Sequence, residues 1–269
     1  MCPGSLNHSE EVVVRITNPV RMFGLAVVAA ALTTVAASAS AAAALDRDIH
    51  SYVVTKLDDF TATGDVVSVN ERELNKISRD MVLLYKIHEV SVNYKEPNMV
   101  RIEGSQEGSH VTFIINGSKQ IVRFNGATLR RDLGSSPGKR KSLMDMGLVS
   151  DYYLTYVDAK FLRDGSVDGT PTAVFDVTYK DRQDTSHHII YIDPKTRCVL
   201  KRESYSQDAP GKPGHLQCTY YYKNLKEVAT GVWFPTIIEV ENTDRVMAGS
   251  TAYKDIHINV GLKDDRFKL

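Results

Sequence analysis

The pattern of hydrophobic and polar positions is clearest near the C-terminal end of the chain, where three runs rich in β-branched and aromatic residues follow one another. The runs cover residues 216–225, 231–240 and 251–260, and each has the composition of a strand on a half-buried sheet. Short polar segments separate them. We therefore predict an antiparallel meander over this part of the chain.

The middle of the chain has the same character. In residues 81–94, His88, Val90, Val92 and Tyr94 share one face of a strand of period two. Asn-Gly pairs then mark hairpin turns. Further short strands are predicted at 99–104, 109–116, 119–125, 127–131, 160–164, 172–179, 186–193 and 198–205. Ten to twelve strands are too many for an open flat sheet, so the sheet must curl or close.

Helical spacing is confined to a few segments. Residues 45–56 have the spacing of a short helix, although residues 52–63 are equally compatible with a first strand. Residues 68–80 carry Asn70 and Glu73 at the spacing of a helix N-terminus.

Residues 142–156 form an apolar insert between two groups of strands. Ser142 can cap a helix there, with Asp145 three positions on, and we predict one or two short helices. Met and Tyr side chains in the insert either cover a ligand held against the sheet or complete an ordinary core. The pattern leaves both interpretations open.

Residues 1–44 differ in kind from the rest of the chain. Arg15 and Arg21 precede an uncharged, Ala-rich apolar run, and small residues follow it. This is the organisation of a secretory signal peptide, which we expect to be cleaved near residues 39–44. The run is too short and too weakly hydrophobic for a membrane anchor. Residues 45–269 then form a single domain.

Charge and chemistry narrow the function further. The chain is formally neutral, which argues against a nucleic-acid partner. Neighbouring His187 and His188 point to opposite faces of a strand, so they are not expected to share a metal. No nucleophile motif or phosphate-binding loop is recognisable. We therefore expect no catalytic residues, no metal and no cofactor, and so a protein that is not an enzyme.

Two cysteines follow the leader, Cys198 and Cys218. An exported protein can join such a pair in a disulfide. The predicted hairpin register places them away from each other, because the loop between their strands is centred near residue 210 or 211. We therefore expect two buried thiols, with a disulfide as the alternative.

Aromatic and Met residues supply candidate ligand contacts. Tyr220 and Tyr222 share one face of their strand, and Trp233 lies on the next strand. If these side chains and the insert face a concave sheet, they suit an apolar ligand such as an acyl chain. The candidate contacts are Leu143, Met144, Met146, Leu148, Tyr152, Tyr153, Tyr220, Tyr222 and Trp233.

The segments YKEP, MVRI, NG, DP, YKNL, GVWFP and YKDIHINVGLKDDRF occur in this order, at residues 94–97, 99–102, 125–126, 193–194, 222–225, 231–235 and 253–267. Together they resemble the LolA/LolB superfamily of bacterial periplasmic lipoprotein carriers, and most of all its exported members of the outer-membrane lipoprotein-sorting type. The likeness covers about residues 50–269 and lies in the order of these short segments rather than in any single motif.

The resemblance implies a mainly β fold, namely a strongly curved antiparallel sheet of about eleven strands, an unclosed half-barrel with a helical lid on its concave face. It also implies a monomeric periplasmic carrier that holds a lipid, an acyl chain or a lipidated protein between sheet and lid. The alternative is a regulatory or scaffold module of the same fold that binds an envelope protein. Residues 142–156 would be the lid.

Overall fold

The computed structural model describes residues 45–181, 184–206 and 214–269. Thirteen strands lie within these residues and form one antiparallel sheet. They are β1 (Asp59–Val69), β2 (His88–Lys95), β3 (Met99–Gln106), β4 (Ser109–Asn116), β5 (Lys119–Phe124), β6 (Ala127–Asp132), β7 (Val157–Val167), β8 (Thr170–Tyr179), β9 (His187–Ile192), β10 (Val199–Tyr205), β11 (Leu216–Ala229), β12 (Val232–Glu241) and β13 (Met247–Ile258). The signal peptide predicted for residues 1–44 lies outside the described residues.

The order of the strands shows how the chain builds the sheet. From one edge to the other it is β6-β5-β4-β3-β2-β1-β13-β12-β11-β10-β9-β8-β7. Two meanders therefore join side by side where β1 pairs with β13, for example through Phe60 opposite Ile258. The edge strands β6 and β7 do not pair with each other, so the sheet stays open. The prediction of a mainly β, unclosed half-barrel is confirmed.

The number of strands is thirteen rather than about eleven. The C-terminal meander is present as predicted and forms β11, β12 and β13. It does not end the sheet, however, because β13 pairs on its far side with β1. The meander is therefore the middle of the sheet and holds the two halves together.

Three α-helices occur among the described residues: α1 (Glu71–Ile77), α2 (Arg79–Leu84) and α3 (Asp151–Thr155). The predicted start of α1 is confirmed, since Asn70 Oδ1 accepts a hydrogen bond from the backbone N–H of Glu73 at 3.3 Å. Four 3₁₀ turns are also described, at Ile49–Tyr52, Pro137–Lys139, Leu143–Met146 and Asp264–Phe267.

The predicted strand over residues 81–94 was wrong in its first half. Ser78 Oγ accepts a hydrogen bond from the N–H of Met81 at 3.2 Å, and this cap starts α2. β2 begins only at His88. The helix predicted over residues 45–56 is reduced to one 3₁₀ turn, which Asp48 caps.

The cysteines are free thiols, and both are buried. Cys218 pairs in register with Ser204, which separates it from Cys198. Burial raises the pKa of the Cys198 thiol to about 12. Of the two alternatives, two buried thiols are therefore confirmed.

Candidate functional site

The insert, residues 142–156, contains two short helical turns as predicted. Ser142 and Asp145 form a capping box. The N–H of Met144 donates to Ser142 Oγ at 3.3 Å, and the N–H of Ser142 donates to Asp145 Oδ2 at 2.9 Å. The first turn ends at Gly147, whose left-handed φ of 75° reverses the chain.

Most of the insert is fixed to the sheet. Leu143, Leu148 and Tyr153 are almost fully buried in the main core. The backbone is bound as well, since Val54 N–H donates to Val149 O at 2.9 Å and Val199 N–H donates to Gly147 O at 2.8 Å. This part of the insert completes the core rather than covering a space.

The insert approaches the sheet closely at Gly147. A Cβ atom added there would lie 2.7 Å from Tyr222 Cδ1 and 3.2 Å from Pro235 Cγ. The hydroxyl of Tyr222 donates to the carbonyl of Met144 at 3.2 Å. Only glycine fits this position. The contact between Gly147 and Tyr222 therefore fixes the position of the first turn of the insert against β11.

An apolar pocket of about 150 Å³ lies beside that first turn. It is bounded by the inner faces of β1, β2, β3, β10, β11, β12 and β13, by α2 and by the start of the insert. Its lining residues are Phe60, Val66, Met81, Leu84, Tyr85, Ile87, Val90, Val92, Tyr94, Val100, Ile102, Lys141, Ser142, Asp145, Met146, Arg202, Tyr220, Ile238, Thr251 and Tyr253. A cavity of this size binds a benzene-sized group when its walls are apolar.

The short helix α2 covers one side of the pocket. It contains no buried residue, and Leu83 and Leu84 are 46% and 42% exposed. The hydroxyl of Tyr220 donates a weak hydrogen bond of 3.9 Å to Sδ of Met81 in this helix. Segments with so few buried contacts open at the lowest free energy. The side of the pocket formed by α2 is therefore less tightly packed than the side formed by the insert.

A partly buried ion pair forms the polar end of the pocket. Arg202 on β10 is 6% exposed, and its Nη2 lies 3.3 Å from Asp145 Oδ1. The guanidinium also lies over the ring of Tyr220, 4.5 Å from its centroid. Burial alone would raise the pKa of Asp145, but Lys141, Arg202 and the N–H of Ser142 together lower it to about 2. The pair joins the first turn of the insert to the sheet.

The nine candidate contacts separate into three groups. Met146 and Tyr220 line the pocket. Leu143, Met144, Leu148, Tyr153 and Tyr222 are buried in the core. Tyr152 and Trp233 are partly buried and lie away from the pocket. On β12 the inward side chain is Phe234, which packs edge-on against Phe60 at 5.0 Å.

Sequence reasoning missed Arg202 and the residues of α2. The sequence contained a feature that could have indicated each of them. Arg202 has the inward parity of its strand, sharing a face with the buried Leu200 and Ser204. Ser78 with Asp80 is the start of a helix rather than of a strand.

His187 and His188 lie on opposite faces, as their spacing predicted. His187 stacks on Tyr205 with a centroid distance of 4.4 Å, whereas His188 Nε2 lies 2.9 Å from the hydroxyl of Tyr179. Burial lowers the pKa of His188 to about 3. In the described part of the chain, no three His, Cys, Asp or Glu side chains come together as a metal site. None of its helices has the length and apolar character needed to cross a membrane.

Solved structures share this architecture. A LolA superfamily protein from Nitrosomonas europaea is 17% identical, with a TM-score of 0.53 over 82% of this chain and 94% of that one. A DUF1329 family protein from Desulfovibrio piger is 15% identical, with a TM-score of 0.51 over 82% and 92%. An outer-membrane lipoprotein-sorting protein domain from Vibrio parahaemolyticus is 13% identical, with a TM-score of 0.51 over 82% and 93%.

Comparison of sequences, rather than of structures, places the chain in a family. No curated protein matches the chain significantly. A family described as "Uncharacterized protein" matches residues 116–269, which is more than half of the chain and includes the insert, Arg202 and strands β7 to β13. The chain therefore belongs to this family of uncharacterized proteins, and its fold is that of the LolA superfamily.

Proposed function

We propose that the protein is an exported carrier or binding protein of the bacterial envelope, which holds an apolar ligand in the pocket between the sheet, α2 and the insert. The observation that carries this proposal is the pocket itself, because its walls are mainly apolar with a polar end, and one of them is a helix with no buried residue. Ligand sites are concave and apolar, with a few polar groups that set orientation. The predicted leader of residues 1–44 supports an envelope location. No covalent chemistry is part of the proposal.

The volume of the pocket in this structure limits the size of ligand that it can hold without a change in shape. Sites for drug-sized ligands enclose about 300–1,000 Å³, and the pocket has about 150 Å³. A longer acyl chain therefore requires α2 to move outward, whereas the insert can stay in place. In this arrangement the insert is the fixed floor, and α2 is the movable cover.

The test uses two valines that are neighbours on β1. Val66 lines the pocket, and Val67 is 63% exposed. Val66→Phe fills the pocket, whereas Val67→Phe adds the same ring outside it. Binding of octanol, a neutral single-chain probe, is measured by calorimetry. We expect affinity to fall at least tenfold in Val66→Phe and to be unchanged in Val67→Phe; equal octanol affinity in both variants would contradict the proposal.

A second candidate function is a module that binds an envelope protein. The small volume of the pocket favours it, because 150 Å³ is below the usual range of ligand sites. If octanol binds to none of the proteins, this candidate takes precedence over the carrier.

A further inference from the structure

The pocket contains one group that a purely apolar ligand would leave unused. Arg202 is 6% exposed, and arginine is seldom buried so deeply unless its donors are satisfied. Nη2 reaches Asp145 only at 3.3 Å. Nε is buried and has no acceptor anywhere in the described ranges 45–181, 184–206 and 214–269. A buried N–H without an acceptor costs free energy, which a ligand acceptor at that position would recover.

The charges around the pocket do not cancel. Its lining residues that are charged at neutral pH are Lys141, Asp145 and Arg202. Asp145 is shared by both cations, since Lys141 Nζ lies 3.4 Å from the same Oδ1 atom that Arg202 contacts. One positive charge therefore remains at the polar end of an otherwise apolar pocket. A ligand with a single negative charge would balance it.

Geometry and volume narrow the class of ligand. A planar guanidinium presents parallel N–H donors that match the two oxygens of a carboxylate. A phosphate monoester carries nearly two negative charges at neutral pH and would exceed the single positive charge available. The volume of about 150 Å³ suits one chain rather than two.

We propose that the pocket binds a single-chain carboxylate amphiphile, with its carboxylate at the guanidinium of Arg202 and its hydrocarbon chain among the apolar lining residues. The proposal rests on the proposed function, because it requires an apolar chain in the pocket. It adds the headgroup and the residue that recognises it.

The experiment compares octanoate with octanol in the full chain at neutral pH, by calorimetry. Arg202→Met is expected to weaken octanoate binding at least tenfold, or about 1.4 kcal/mol, and to leave octanol binding unchanged. The matched control is Lys201→Met. Lys201 is the adjacent cation on the same strand, faces the other side of the sheet and pairs with Glu203 at 2.6 Å. Its loss should leave both affinities unchanged.

A second variant guards against misfolding, because Arg202→Met leaves Asp145 without one of its partners. The double variant Arg202→Met/Asp145→Asn removes both charges of the pair and should show the same selective loss of octanoate, with circular dichroism confirming the fold. Equal affinity of wild type for octanoate and octanol, or full octanoate affinity in the double variant, would overturn the inference and leave the carrier proposal standing. Tighter binding of octyl phosphate than of octanoate would overturn the carboxylate assignment. Failure of octanol to bind would overturn both proposals.

Discussion

Replacing Gly147 with alanine tests whether the insert is fixed to the sheet. Gly147 has φ 75°, and an added Cβ would lie 2.7 Å from Tyr222 Cδ1 and 2.9 Å from Cγ. The left-handed backbone alone costs an alanine about 1–2 kcal/mol. Forcing a methyl group into a packed contact costs about 1–3 kcal/mol more. Gly147→Ala should therefore lower the free energy of unfolding by about 2–5 kcal/mol.

Gly231→Ala is the matched control. Gly231 also has φ 75°, but an added Cβ would meet no atom within 4 Å, so only the backbone cost of about 1–2 kcal/mol applies. Urea unfolding followed by the fluorescence of Trp233, the single tryptophan, measures both variants. The difference of about 1–3 kcal/mol between them is the cost of the close approach. Equal losses in the two variants would refute the account of a tightly seated insert.

Two further predictions concern buried groups. In the folded protein the pKa of Asp145 is lowered from 3.8 to about 2. Its contribution of about 2 kcal/mol to the free energy of unfolding is therefore present above pH 4 and lost as pH falls towards 2. Urea titrations at both pH values should show a larger loss of this free energy at the lower pH in wild type than in Asp145→Asn, and equal losses would contradict this. Cys198 and Cys218 should resist iodoacetamide in the folded protein, because burial raises the pKa of both thiols. Both should react in denaturant, and mass spectrometry counts the modified thiols. A disulfide-linked peptide would contradict this.

The strand pattern was predictable because side-chain period and turn chemistry are local. The runs that became β3, β4 and β5 lie between Gly and Asn-Gly turns, and each turn requires the left-handed backbone that these residues adopt easily. What local pattern cannot specify is which strands become neighbours over long distances. The pairing of β1 with β13 joins residues almost two hundred positions apart.

The candidate site was only half predictable. Tyr220 was a candidate because of its face on the strand, and Met146 because it is an apolar residue of the insert; both line the pocket. Arg202 was missed because a single cation in a strand is usually solvated, and its burial depends on Asp145, a residue far away in the sequence that is brought close by the insert. Helix α2 was missed because its apolar residues also fit a strand, and only the Ser78 cap decides between the two.

The two interpretations of the insert could not be separated from the sequence for a similar reason. The apolar pattern of these residues is compatible with a lid or with a core. Backbone hydrogen bonds to Val54 and Val199 show that they belong to the core, and a pattern of side chains cannot predict such bonds. We therefore propose α2, which contains no buried residue, as the movable cover.

The most direct test of the carrier account is native mass spectrometry of the full-length gene product purified from the envelope fraction of a bacterial host, compared with its Val66→Phe variant. The expected result is a wild-type protein that retains one small apolar compound, released on denaturation, and a Val66→Phe protein that retains none. The mass of the chain itself should correspond to a start near residues 39–44. A wild-type protein that is consistently free of any bound compound, while its fold is intact, would contradict the central claim.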